Sequence, residues 1–171
     1  MLNKKIEKEL NNQINAEFFS AYLYLSMSAY LASQNLNGFA NWMLVQFQEE
    51  QFHAMKFYNY VIERGGKVTL KPIEGPKIEW KNIIEVFEAT LEHEQKITKL
   101  INNLINLSIL EKDHATASML QWFVTEQVEE EANVDDILQQ LKMLDGKGAG
   151  LFMLDREMKQ RIFSPPAGES K

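Results

Sequence analysis

Glu49-Glu50-Gln51-Phe52-His53 is the stretch that decides the fold. A carboxylate and an imidazole three residues apart share one face of a helix. Phe39, Met43, Gln46, Glu50, His53, Phe57 and Tyr60 follow one another at steps of four and three, so Glu50 and His53 stand where an amphipathic helix normally carries leucine. Both are expected to point inward. An ionised carboxylate buried without a partner is strongly disfavoured, which leaves a buried ion pair, a hydrogen-bonded network or a bound metal as explanations.

The same pattern recurs on either side. From about residue 2 to 33 a helical stripe runs through Leu10, Ile14, Glu17, Ala21, Tyr24 and Ser28, with Glu17 in an apolar position. Gln34 to Gly38 supply turn formers, and so short a connection makes the second helix, about 39–64, antiparallel to the first. Gly65-Gly66 ends it. Residues 66–80, with Pro72, Gly75 and Pro76, read as extended chain. About 14 extended residues reach some 45 Å, enough to cross a bundle whose helices are roughly 39 Å long. The crossing permits a third helix parallel to the second; a floppy functional loop is the competing reading. The third helix, about 82–110, carries Ile83, Phe87, Thr90, Glu94, Ile97, Ile101 and Leu104. After a turn at Glu111-Lys112-Asp113, the fourth, about 115–144, carries Phe123, Gln127, Glu130, Val134, Ile137, Leu141 and Leu144.

A glycine-rich hinge at residues 145–150 then leads to a short fifth helix, expected over about 149–162, and a flexible tail from 163 to 171. The expected fold is an all-α four-helix bundle over about 2–144 with a long crossover between helices two and three. With 171 residues and 45% hydrophobic content, one domain is expected.

Composition narrows the chemistry. There is no cysteine, so thiolate zinc sites, Fe–S clusters and disulfides are excluded, and with three histidines any metal site is mostly carboxylate. A net charge of -6 argues against nucleic-acid partners and favours cations. No apolar run is long enough to span a bilayer, and the start has no signal-peptide h-region. No membrane association and a cytoplasmic location are the expectation.

Each of the four long helices thus carries a glutamate near its midpoint on the inward stripe: Glu17, Glu50, Glu94 and Glu130. A mid-helix residue keeps its depth whichever way the helix runs, so packing brings all four to one level, with His53 beside Glu50. Four carboxylates in one dry space repel and resist ionisation. Two divalent cations would balance them, as in di-iron carboxylate bundles. A metal near Glu17, Glu50 and His53 has a nitrogen ligand. One near Glu50, Glu94 and Glu130, with Gln127 close by, has oxygen alone and should hold Fe2+ more loosely. A structural bundle with an internal ion-pair network remains the plain alternative.

Taken together, Ala16-Glu17, Ser20-Ala21-Tyr22-Leu23-Tyr24, Phe39-Ala40-Asn41-Trp42, Glu49-Glu50 with His53, His93-Glu94, and Trp122 with Glu126-Gln127 and Glu129-Glu130-Glu131 resemble the haem-free ferritins of bacteria and archaea. The resemblance implies a ferroxidase that oxidises Fe2+ with O2 or H2O2 and stores ferric oxide-hydroxide inside a shell of 24 subunits in octahedral symmetry. It implies one iron at Glu17, Glu50 and His53, a second at Glu50, Glu94 and Glu130, and a third, transit iron at Glu49, Glu126, Glu129 and Glu130, with Tyr24 beside the centre. Bacterioferritins place a haem-ligating methionine after the motif glutamate; here that residue is Gln51, and the fourth helix lacks a second Glu-x-x-His, so no haem is expected. A di-iron oxidase that stores nothing is the rival within the same bundle class. Leu23, Tyr30 and Trp42, which lie off the stripes, are expected to offer contact surface between subunits. His93, about 100° around the helix from Glu94, is expected to be a poor ligand.

Overall fold

Left-handed turns end the four long helices of the computed structural model, which describes residues 2–165. The described elements are α1 (Lys4–Ser33), α2 (Asn37–Glu63), α3 (Ile83–Leu110), α4 (His114–Met143) and α5 (Gly148–Met158), with no strand among the described residues. Asn35, Gly65, Lys112 and Asp145 have φ of 60°, 68°, 56° and 51°. Each turn closes the same way. Leu36, Gly66, Asp113 and Gly146 donate their N–H to Leu31, Val61, Ser108 and Leu141, satisfying carbonyls that the helix leaves over. At their starts, α1, α3 and α4 are capped by Asn3, Asn82 and Asp113, each accepting from a backbone N–H in the first turn.

Side-chain pairs fix the topology. Ser28 bonds the Ala40 carbonyl while Leu2 N–H bonds the Arg64 carbonyl, so α2 runs back along α1. Asn3 meets Glu111, Ser20 meets His93 and Tyr24 meets Glu94, which makes α3 antiparallel to α1 and hence parallel to α2. The expected crossover is therefore present. It is a fastened strap and no floppy loop: along α1, Asn11 holds Lys67 and Thr69, Asn15 holds Pro72, Ser26 holds Lys77 and Tyr30 holds Trp80. Those anchors cover 19 helical steps from residue 11 to 30, roughly 28 Å, within reach of the extended segment.

Every inward stripe residue named above is buried except Tyr60 and Leu144, which are half-buried. Most of the buried apolar residues fall into two clusters. One gathers Leu31, Phe39, Met43, Phe87, Val134 and Leu141; the other gathers Ile6, Leu10, Phe57, Ile101, Leu120 and Phe123, with Phe57 and Phe123 stacked at 4.0 Å. Between them lies a belt of buried polar groups.

Two expectations change. α5 ends at Met158, so Ile162 lies beyond it, 83% exposed. The expected flexible tail, residues 163–171, lies outside the described residues from 166 on; within them Phe163 has its ring 6.4 Å from that of Phe52. Leu23 and Trp42 are not contact surface: they are 8% and 4% exposed within this chain. Tyr30 is half-buried, its ring 5.3 Å from Trp80. The strap and α5 cover faces that a bare four-helix bundle leaves open.

The start of α2 explains how α5 is held. Leu36 precedes this helix and has no side chain to cap it, so Asp155 of α5 accepts from the Gly38 and Phe39 N–H groups at 2.8 and 3.0 Å. The negative charge also suits a helix N-terminus. Gly38 makes the approach possible, because a Cβ there would stand 1.5 Å from the Asp155 carbonyl oxygen.

Candidate metal centre

The polar belt contains all four mid-helix glutamates. Glu17, Glu50, Glu94 and Glu130 are at most 4% exposed, and His53 is 3% exposed. The Glu50 and His53 pair, one helical turn apart on α2, meets with Nδ1 3.5 Å from Oε2. The imidazole is seated among aromatic edges, with the rings of Trp122 and Phe123 at 5.5 and 5.8 Å.

Amides and a phenol fasten the carboxylates. Gln13, one turn before Glu17, donates to Glu17 Oε1 at 2.8 Å. Gln46 reaches across to Glu130 Oε2 at 2.9 Å, and Gln127 reaches Glu94 Oε2 at 3.0 Å. Tyr24 donates its hydroxyl to Glu94 Oε1. Three buried oxygens of the belt, Glu17 Oε2, Glu50 Oε2 and Gln46 Oε1, have no hydrogen-bond partner among the described residues. A buried acceptor left over in this way is costly, and two of the three belong to carboxylates beside His53.

Among the described residues, Glu17, Glu50 and His53 form the set whose ligand atoms all lie within 4.8 Å of one another. Metal–oxygen and metal–nitrogen bonds of about 2.0–2.2 Å fit that triangle after a sub-ångström contraction. The residues present therefore suit a divalent cation. Glu94 and Glu130 adjoin Glu50 closely enough to disfavour its ionisation, but the three do not converge as tightly, because Tyr24, Gln127 and Gln46 hold their oxygens elsewhere. The two halves of the belt are unequal in geometry as well as in ligand type.

The carboxyls show the cost of burial. Desolvation, with the nearby Glu50 charge second, pushes Glu17 up to about 8. Glu50 is driven well above the carboxylate range by burial and then by Glu94 and Glu130. Burial likewise raises Glu94, against the hydrogen bonds from Tyr24 and Gln127, and pushes Glu130 up to about 7. At neutral pH the metal-free belt thus holds protons that a divalent cation would displace.

Glu49, Glu126 and Glu129 sit at one edge of the belt and differ in exposure. Glu49 and Glu126 are half-buried and Glu129 is exposed. Burial pushes Glu49 up to about 7 against the pull of Arg161, and Glu130 and Glu126 add their repulsion. Glu131 accepts from Thr98 at 2.5 Å. His93 is buried, but it pairs with Ser20 Oγ at 2.7 Å on the far side of Tyr24, and burial lowers it to about 4, so the ring is neutral. It stands outside the ligand set, as its angle from Glu94 suggests. Asp113 is bound to Arg64 at 3.1 Å and caps α4, while His114 is exposed.

Sequence reasoning missed Gln13, Arg161 and the destination of Gln46. Gln13 lies four residues before Glu17, a spacing that carries the signal. For Arg161 no local signal exists.

The model of the ferritin-like domain family matches residues 7–144. A bacterial non-heme ferritin of Staphylococcus aureus (strain MRSA252) is 37% identical over 163 residues, which is 95% of this chain and 98% of that protein. One from Bacteroides fragilis (strain 638R) is 41% identical over 161 residues, 94% and 100% of the two chains. Among solved structures, a closed form of the Archaeoglobus fulgidus ferritin engineered by site-directed mutagenesis superposes with a TM-score of 0.95 at 48% identity, covering 96% of this chain and 100% of that one. The open pore ferritin of the same hyperthermophilic archaeon gives 0.93 at 48% identity, covering 95% and 100%.

Proposed function

The chain belongs to the ferritin family, and from that membership we propose that it is an iron-storing ferroxidase, a single ferritin-like domain that assembles into a hollow 24-subunit shell. Its substrates are Fe2+ and O2 or H2O2. The observation that carries the proposal is the buried Glu17–Glu50–His53 triangle, whose ligand atoms all lie within 4.8 Å of one another. The relatives' names supply the coarser half of the reading, non-heme ferritin.

In this reading Glu17, Glu50 and His53 bind the first Fe2+, and Glu50, Glu94 and Glu130 the second, with Gln127 near the second. Glu50 is common to both and sets their separation. Each Fe2+ gives up one electron, and the pair together reduce O2 to the level of H2O2 with two protons taken up, so that no one-electron product is released. Tyr24 and Gln127 keep Glu94 oriented through the bonds described above. Gln13 does the same for Glu17.

The remaining carboxylates form an exit. Glu49, Glu126, Glu129 and Glu130 take a third iron and pass Fe3+ toward the cavity. No haem enters the scheme, nor do nucleic acid or membrane; no described helix is long and apolar enough to cross a bilayer. A cytoplasmic location follows from the proposed role in buffering iron.

The test is anaerobic addition of two Fe2+ per chain followed by air. Oxidation should run far ahead of the protein-free rate. An unaccelerated rate would leave the carboxylate belt as an internal hydrogen-bonded network and remove the enzyme from the proposal.

A further inference from the structure

Glu49 has a partner that the bundle itself does not supply. Its Oε2 lies 2.7 Å from Nη2 of Arg161, in the segment after α5, and the two side chains are only 22% and 23% exposed. The arginine is held from several directions. Its guanidinium carbon stands 4.5 Å from the centre of the Trp42 ring, and Nη1 reaches the Trp42 carbonyl at 3.5 Å. Its own carbonyl accepts from Asn41 Nδ2 at 3.0 Å, and the same amide reaches the Met158 and Lys159 carbonyls at 3.3 Å. Two residues further on, Phe163 packs against Phe52, which in turn lies 6.1 Å from Trp122. Residues 159–163 therefore form an arm across the edge of the belt where Glu49 and Glu126 sit.

A guanidinium bonded to one oxygen of a carboxylate competes with a metal ion for its charge. Within a few ångströms, in a half-buried setting, two positive charges repel strongly.

We propose that Arg161 is a tethered cation that fills the third metal position, so that Glu49 accepts a metal ion only when the 159–163 arm withdraws its guanidinium. The inference rests on the reading of Glu49, Glu126, Glu129 and Glu130 as a metal position, and it adds the residue that controls that position. The first two positions do not include Glu49, although the second shares Glu130 with the third and feels the Arg161 charge there. Iron would then leave the centre in a step coupled to movement of the chain's own C-terminal arm.

Titration calorimetry with Zn2+ on the metal-free, assembled protein tests this without any redox chemistry. The wild type should take up two tight equivalents per chain and a third weak one. Arg161→Gln should tighten the third by about tenfold, the size expected when a close opposing charge is removed. Arg161→Lys keeps the charge and should stay near wild type. Glu49→Gln should abolish the third equivalent in either background. A third equivalent equally weak in wild type and Arg161→Gln, or three equally tight ions in wild type, would overturn the proposal while leaving the metal centre standing. Absence of the first two tight equivalents would overturn the centre and the proposal together. If Arg161 merely docks the arm, both arginine variants melt lower and neither changes the third affinity, which also overturns it.

Discussion

Replacing Glu17 by glutamine should stabilise the metal-free protein at alkaline pH and destabilise the metal-loaded one. Glu17 is buried, accepts one bond from Gln13, and titrates near 8 in the folded chain against an ordinary 4.5. Between those values the folded chain holds a proton that the unfolded chain has released. Stability therefore falls as pH rises, is complete below about 4.5 and is lost by about 8. At 1.36 kcal/mol for each pH unit, the loss from this residue is about 5 kcal/mol. Glutamine keeps the acceptor for Gln13, cannot ionise, and brings an N–H donor beside the unsatisfied Glu50 Oε2. The variant should thus melt about 10–20 °C above wild type at pH 9 and within a few degrees of it at pH 5, given about 2–4 °C per kcal/mol for a chain of this size. Scanning calorimetry at fixed protein concentration, with metal removed, measures both. Saturating Zn2+ should reverse the order at pH 7, because the variant has lost a ligand. Parallel melting profiles across pH, or a variant less stable than wild type at pH 9, would refute the argument that burial of this carboxyl is a cost carried for metal binding.

Glu50→Ala removes the residue common to both metal positions, so the initial rate of Fe2+ oxidation should fall at least about a hundredfold while particle size by gel filtration stays unchanged. An unaltered stopped-flow rate would show that Glu50 bridges nothing. Glu130→Ala should cost the second tight Fe2+ equivalent and spare the first, which has His53; anaerobic equilibrium binding counts them, and loss of both together would argue against two distinct positions. Gly38→Ala puts a Cβ 1.5 Å from the Asp155 carbonyl oxygen, forcing α5 off the start of α2 at about 2 kcal/mol or more. Trypsin should then cut more readily around α5, and protection equal to wild type would mean the approach relaxes without cost.

Much of the fold is legible because helical period reports burial directly. The four inward stripes read from residue spacing are the buried faces, and the intruding glutamates stand out because each occupies a position that otherwise carries Ile, Leu, Phe or Val. The strap was readable from Pro72, Gly75 and Pro76 together with its length, although its fastening by Asn11, Asn15 and Ser26 was not, since asparagine and serine on a helix flank look like ordinary solvated residues. The faces of Leu23 and Trp42 were misjudged for a related reason. Periodicity says which side of a helix packs on the other three and says nothing of what else lies over its flank. The link between Asp155 and the start of α2, and that between Arg161 and Glu49, join residues more than 100 positions apart, beyond any local pattern.

Within the candidate centre, ligand types were legible and ligand geometry was not. Glu-x-x-His on α2 and the bare carboxylates on α3 and α4 already implied unequal positions. The first triangle is drawn together, while oxygens of Glu94 and Glu130 are engaged by Tyr24, Gln127 and Gln46, whose bonds cross between helices.

Particle mass measured together with iron content after aerobic loading tests the central claim most directly. The expected particle has a mass of about 480 kDa, 24 times the 19.9 kDa chain, and its iron rises far beyond the few ions per chain proposed for the carboxylate belt. A dimer-sized particle whose iron stops at those few ions would contradict it, leaving a di-iron oxidase in place of a store.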